Sequence, residues 1–243
     1  LTEIGFADHL GRYYLTPTQK RRYWDWGMHE HNVGRYFEEL SGLRSTFGDS
    51  ISIKIGLEID FIEGAEDLLK PLIENFDFDF FLGSIHCLPR FGWKHISDYH
   101  THNPQQAFTE YFRLLRASIT SGLFSSIAHP DFIFRYIPVA PELQKYIVNE
   151  LIMTVQLAQK NHMPLEVNCN SFLWSSMKEQ QFDPFLIMLD LIAENGALIS
   201  IGSDAHEPRN VAKVYAELKE LLYSKNILHY IAFSDMKQII RNV

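Results

Sequence analysis

The sequence predicts an α/β barrel built on a parallel sheet, and three observations point there. Short apolar runs recur along the chain, each run ends in polar or charged residues, and each is followed by a longer stretch with helical periodicity. That alternation of strand and crossover helix is what a parallel sheet requires.

The predicted strands, in order, are Thr2–Ala7, Ile51–Asp60, Asp79–Ile85, Phe124–Ala128, Pro164–Asn168, Ala197–Gly202 and Leu228–Phe233, the last with the weakest pattern. The predicted helices between them span roughly 33–46, 65–75, 104–121, 142–162, 182–195 and 208–225. Pro104, Pro141, Pro184 and Pro208 stand near the starts of four of these helices, where a missing N–H costs little. No linker, low-complexity tract or repeat beyond the βα unit interrupts the pattern, so residues 1–243 are read as one domain.

With 46% hydrophobic and 14% aromatic residues, the chain can bury a full core. Its formal net charge of −8 argues against a broad polyanion-binding face, so nucleic acid is not an expected partner and an anionic substrate must be held by local cations. Cys87 and Cys169 are the only thiols and lack CxxC spacing, which implies neither a disulfide framework nor a thiolate zinc site and fits a reducing, cytoplasmic compartment. No apolar run approaches the roughly 18 residues of a membrane span, and the start lacks a basic-then-apolar signal pattern, so no membrane partner is expected.

The chemistry sits at the predicted strand ends. These carry Asp8-His9, Glu58-Ile59-Asp60, His86, His129-Pro130-Asp131, Glu166-Val167-Asn168 and Asp204-Ala205-His206. In an α/β barrel such ends converge on one mouth, so residues distant in sequence meet there. A single His after a strand is most often structural, and a lone carboxylate is usually a cap; packing does not, however, require every successive strand to end in one or the other. Several carboxylates in a concave mouth are electrostatically costly unless cations are bound. Mixed imidazole and carboxylate ligands suit zinc, manganese or iron rather than calcium, and two such ions held close together can clamp the attacking and leaving oxygens of a displacement.

The strings GFADH (Gly5–His9), GLEIDF (Gly56–Phe61), GSIH (Gly83–His86), AHPD (Ala128–Asp131), EVN (Glu166–Asn168) and GSDAH (Gly202–His206) resemble, in order and approximate spacing, the motifs of PHP-domain (polymerase and histidinol phosphatase) phosphoesterases. The resemblance spans almost the whole chain and is nearest to the histidinol-phosphatase branch. It implies a distorted (β/α)7-type PHP barrel and a metal-dependent phosphatase acting on a small-molecule phosphate ester, histidinol phosphate foremost.

The resemblance further implies two or three divalent transition metals held by His9, Glu58, His86, His129, Asp204 and His206. Glu58 would bridge two ions, His86 and His129 would complete one of them, Asp204 would belong to the other, and His9 and His206 would hold a third. Asp8, Asp204 and His206 are the candidate catalytic residues. Asp8 either orients His9 and handles a proton or is an ordinary loop carboxylate, and Asp131 stands in the same relation to His129. Arg135 and Arg209, each a few residues past a ligand strand, are candidates for binding the substrate phosphate, the alternative being surface solubility. Trp24, Trp26, Trp93 and Trp174 all fall in predicted βα loops on the metal face, where they either wall a pocket or simply pack the loops.

Two departures from the family pattern matter. PHP proteins open with a strand carrying a His-x-His pair, and no such strand precedes Thr2–Ala7; a first βα unit of roughly 20–40 residues is expected to be absent from this sequence. His29-Glu30-His31 and His100-Thr101-His102 lie in long loops before a helix, so they, with His95, are read as helix-entry, rim or solvated residues. Secondly, an Arg often follows the ExN strand in histidinol phosphatases, whereas here Lys178 is the nearest following cation. The competing readings are a PHP phosphoesterase of other substrate, a PHP-like binding or regulatory module without catalysis, and a metal-dependent amidohydrolase. Oligomeric state is not legible.

Overall fold

The computed structural model describes residues 1–10, 28, 32–99, 103–177 and 181–243. Six parallel strands form one curled sheet in the order β1 (Glu3–His9), β2 (Ser52–Asp60), β3 (Phe80–Ser84), β6 (Ser126–Ile127), β7 (Leu165–Asn168) and β8 (Ile199–Gly202). Two short strands, β4 (Cys87–Leu88) and β5 (Lys94–His95), make a hairpin just after β3. Six predicted strands therefore coincide with the six strands of the sheet. His9 pairs in register with Glu58, and Asn168 with Gly202, so strand ends that carry polar residues lie side by side.

Alternation along β2 shows how the sequence sorts the two faces. Ile53, Ile55, Leu57 and Ile59 are buried against the helices, while Lys54, Gly56, Glu58 and Asp60 turn to the opposite face. The helices that cover the outer face are α1 (Val33–Phe47), α2 (Glu66–Ile73), α3 (Pro104–Thr120), α4 (Gln144–Lys160), α5 (Cys169–Ser176), α6 (Pro184–Asn195) and α7 (Tyr215–Ser224). Phe108, Tyr111 and Phe112 of α3, fully buried, belong to the same core as Ile55, Leu57 and Ile59. Pro104 and Pro184 take the first position of α3 and α6, where Asn103 and Asp183 cap the free N–H groups.

Three expectations are corrected. Pro141 and Pro208 open separate 3-10 turns, Pro141–Leu143 and Pro208–Asn210, and the α-helices begin only at Gln144 and Tyr215. Helix α5 follows β7 directly, started by the Asn168 side chain accepting from the N–H groups of Asn170 and Ser171. The seventh predicted strand does not join the parallel sheet: it becomes β9 (His229–Ser234) and pairs antiparallel with β10 (Lys237–Asn242). A separate apolar cluster of Phe80, Ile231 and Phe233, with the Phe80 and Phe233 rings stacked at 5.9 Å, seats this hairpin against the sheet. Asp79 secures it further, accepting from the backbone N–H of Asp235 through Oδ1 and of Met236 through its carbonyl, while Arg44 pairs the buried carboxylate. A buried Asp79 without that guanidinium would be a large penalty.

Between the edge strands β1 and β8 lies a cavity of about 620 Å³. Its floor is Phe80, Ile231 and Phe233; its mouth is formed by His9, Glu58, His129, Asp204 and His206.

Candidate metal centre

Glu58 is the hub of the site. Its carboxylate oxygen Oε1 lies 3.0 Å from His129 Nε2, 3.5 Å from His86 Nε2 and 3.6 Å from His9 Nδ1, and Glu58, His86 and His129 are all nearly inaccessible to solvent. These groups come from β1, β2 and the residues after β3 and β6, so four neighbouring strand ends meet on one oxygen.

The donor set fits a metal ion. His9, Glu58 and His86 each offer a ligand atom within 4.8 Å of the others. A tetrahedral zinc with ligands at about 2.1 Å separates its donors by roughly 3.4 Å, which matches the 3.5 and 3.6 Å spacings of the two imidazoles from Glu58. His129 Nδ1, the ring nitrogen away from Glu58, is buried and has no hydrogen-bond partner among the described residues, a deficit of about 1–3 kcal/mol. His129 also holds a left-handed backbone conformation, φ 26°, a strain that in non-glycine residues tends to accompany functional sites.

Charge effects follow from this geometry. Burial would push the Glu58 carboxyl up, but the His9, His129 and His86 imidazoles outweigh it and hold the group well below the usual carboxylate range. Burial would likewise push the His129 imidazole down, yet the Glu58 carboxylate, with Asp204 and Glu166, raises it to about 9. Without a cation from outside, the cluster holds itself together by keeping a proton on an imidazole.

The outer contacts fix the rings. His86 Nδ1 is 2.7 Å from Asp60 Oδ1, and the same oxygen accepts from the His86 backbone N–H (3.2 Å) and the Ser84 hydroxyl (3.1 Å). With Nδ1 donating there, Nε2 is the ring nitrogen turned toward Glu58, the arrangement a metal-ligating His needs. Sequence reading placed Asp60 at the strand end without a role; its i, i+2 spacing from Glu58 was the available signal. Glu166 was similarly unassigned. Its Oε2 accepts from the His129 backbone N–H (2.8 Å) and from Asn168 Nδ2 (3.1 Å), and burial pushes its carboxyl up. A Cβ at position 202 would come within 1.9 Å of Glu166 Oε1, so any side chain at the end of β8 would force Glu166 to shift.

Asp204 forms a second group across the mouth. Its Oδ2 is 3.2 Å from Asn170 Nδ2 and 3.5 Å from Arg135 Nη1; its Oδ1 is 3.7 Å from His206 Nδ1. The His9 and His206 rings are 5.9 Å apart, which links the two groups. Arg135 is largely buried, donates through Nη2 to Asn168 Oδ1 and Ser171 Oγ, and lies over the Phe132 ring at 5.3 Å.

The remaining expected residues make other contacts. Arg209 is exposed and paired with Glu207 at 2.5 Å. The Asp8 carboxylate accepts the His9 backbone N–H at 2.9 Å. Asp131 accepts from Ser171 Oγ, in the first turn of α5, at 2.9 Å. His95, expected at a rim, stacks on His86 with ring centroids 5.7 Å apart and planes 11° from parallel; burial and the neighbouring His86 push it down to about 4. Trp93 packs on the core and Trp174 is partly exposed. Trp24, Trp26, His29-Glu30-His31, His100-Thr101-His102 and Lys178 lie outside the described residues.

A curled parallel sheet that gathers imidazoles and carboxylates at its strand ends has the architecture of the α/β barrel proteins with a metal-binding mouth. The family model of the PHP domain matches residues 1–170, and the chain belongs to that family. A Deinococcus radiodurans protein named "Probable histidinol-phosphatase" is 25% identical over 227 residues, covering 91% of this chain and 81% of that one. The "Histidinol-phosphatase" of Lactococcus lactis is 23% identical over 239 residues, covering 98% and 85%. In fold, the chain matches the crystal structure of histidinol phosphate phosphatase from Lactococcus lactis complexed with zinc, L-histidinol and phosphate, with a TM-score of 0.76 at 23% identity over 98% of this chain and 88% of that one.

Proposed function

We propose that this protein is a metal-dependent phosphomonoester hydrolase that converts histidinol phosphate to histidinol and phosphate. The observation that carries the reading is the convergence of His9, His86 and His129 on one oxygen of Glu58. The histidinol-phosphatase names of the relatives, and the zinc, histidinol and phosphate in the Lactococcus lactis structure, support the substrate.

The residues that would hold two or three zinc, manganese or iron ions are His9, Glu58, His86, His129, Asp204 and His206, with Glu58 shared between two ions. Bound there, the metal supplies Lewis acidity that acidifies a water and offsets charge on the phosphoryl oxygens. Asp60 keeps His86 in the ligating tautomer. Asp8, Asp204 and His206 would handle protons, Asp204 and His206 beside their ligand roles. Arg135, beside Asp204, and the exposed Arg209 would supply the positive charge that an acidic chain of net charge −8 must offer a phosphate locally.

The chain acts as one domain, since its main core cluster includes residues from Leu10 to Val243. No described helix is long and apolar enough to cross a membrane, and with Cys87 and Cys169 both buried a cytoplasmic setting fits best. The small-molecule ester is the partner; nucleic acid is not.

The test is phosphate release from a panel of phosphomonoesters by zinc- or manganese-loaded protein. Preference for histidinol phosphate, with loss on chelation, is the expected result. Preference for another ester would keep the reaction and change the substrate; no release from any ester would end the enzyme reading.

A further inference from the structure

Asp204 sits in the left-handed region at φ 49°, an uncommon conformation for a residue other than glycine, immediately after β8. Something must hold it there, and the contacts are specific. Asn170 Nδ2 donates to the Asp204 carbonyl oxygen at 3.1 Å and lies 3.2 Å from its carboxylate Oδ2, so one amide group grips both the backbone and the side chain. Arg135 Nη1 approaches the same Oδ2 at 3.5 Å, and Arg135 Nη2 donates to Asn168 and Ser171, which frame the start of α5. Both donors thus converge on Oδ2. Oδ1 is left facing His206 Nδ1 at 3.7 Å, on the side of the mouth.

From this geometry we infer that Asn170 is a positioning residue, which together with Arg135 engages Asp204 Oδ2 so that the carboxylate meets a divalent cation through Oδ1 alone. The inference rests on the metal-site reading given above and adds a role for two residues of this chain. The clamp joins the ends of three successive strands: Arg135 follows β6, Asn170 stands in the first turn of α5 after β7, and Asp204 follows β8. A carboxylate with one oxygen committed to neutral and cationic donors cannot chelate through both, which sets the number of ligands the ion receives and leaves room for substrate. Asn170, in the first turn after the ExN strand, thus holds the end of the neighbouring strand β8.

The measurement is zinc affinity of metal-stripped full-length protein, read by competition with a chromophoric chelator, alongside kcat and KM for histidinol phosphate. Asn170→Ala should keep the wild-type circular dichroism spectrum and a KM within about threefold, while zinc affinity at one site and kcat each fall about 10–100-fold, the usual consequence of removing an outer partner of a ligand. Asn170→Asp, which replaces the donor with a like charge facing Oδ2, should bind zinc no better than Asn170→Ala. If Asn170→Ala fails to fold, Arg135→Lys probes the clamp from the other side and should lower affinity at the same site. A folded Asn170→Ala protein with wild-type zinc affinity overturns the inference. Wild-type protein that binds zinc but hydrolyses no ester overturns the proposed function alone, whereas wild-type protein that binds no zinc overturns both.

Discussion

The Nδ1 of His86 lies 2.7 Å from Oδ1 of Asp60, and both residues are almost fully buried. That contact decides which ring nitrogen faces Glu58, because a neutral imidazole donating from Nδ1 turns Nε2, its acceptor nitrogen, to the other side. Asp60→Ala should therefore reduce metal affinity and turnover together by about 10–100-fold while leaving the ligands themselves in place. Equilibrium dialysis against zinc or manganese checks this; unchanged affinity would mean that the ring is oriented by packing against Phe132 and His95 instead.

Glu58→Gln keeps the shape of the hub and removes its charge. Because three imidazoles face a single oxygen, the change should abolish turnover and strip more than one ion at once. Arg209→Ala, at an exposed residue outside that cluster, should raise KM with little change in kcat. A Glu58→Gln enzyme with substantial kcat would contradict the role of the hub.

Stability of the metal-free protein should depend on pH with a definite sign. The His129 imidazole is raised from its ordinary 6.5 to about 9, because the Glu58 carboxylate outweighs burial. Its contribution is complete below about 6.5 and lost as pH rises through about 9. Glu58 is held below its ordinary 4.5, so its contribution is present above 4.5 and lost as pH falls through the lower, folded value. Melting temperature of the stripped protein should thus decline between pH 6.5 and 9, and His129→Asn should flatten that slope. An identical alkaline slope in the variant would assign the decline to other groups. Loading with metal should also weaken it, since the ion replaces the proton.

Gly202→Ala tests the close packing behind the site. The added methyl would meet Glu166 Oε1 at 1.9 Å, and Glu166 is anchored by the His129 backbone and by Asn168. Chemical denaturation should show a loss of about 1–3 kcal/mol, accompanied by lower activity as His129 shifts. A neutral effect would show that Glu166 can move without cost.

The sheet was legible because each parallel strand carries a compact apolar run with a polar end, and β2 alternates between Ile or Leu and Lys54, Gly56, Glu58 and Asp60. The β9–β10 hairpin was not, since Leu228–Phe233 has the same apolar content as a parallel strand and only its stacking on Phe80 reveals that it pairs with a segment still to come in sequence. The residues that meet on Glu58 could be read from strand ends, for that is a one-dimensional signal. Asp60, Asn170 and the turn of Asp131 toward Ser171 could not, because each depends on which neighbouring strand end supplies the partner. Helix α5 was hidden for a related reason: it starts within the EVN motif, where Asn168 serves both as strand end and as helix cap.

Manganese- or zinc-loaded crystals measured at the metal's absorption edge test the central claim most directly. The account predicts anomalous peaks within coordination distance of His9, Glu58 and His86, with Glu58 shared with a further peak and Asp204 Oδ1 bound across the mouth. Peaks absent from this cluster, or confined to surface carboxylates, would contradict it.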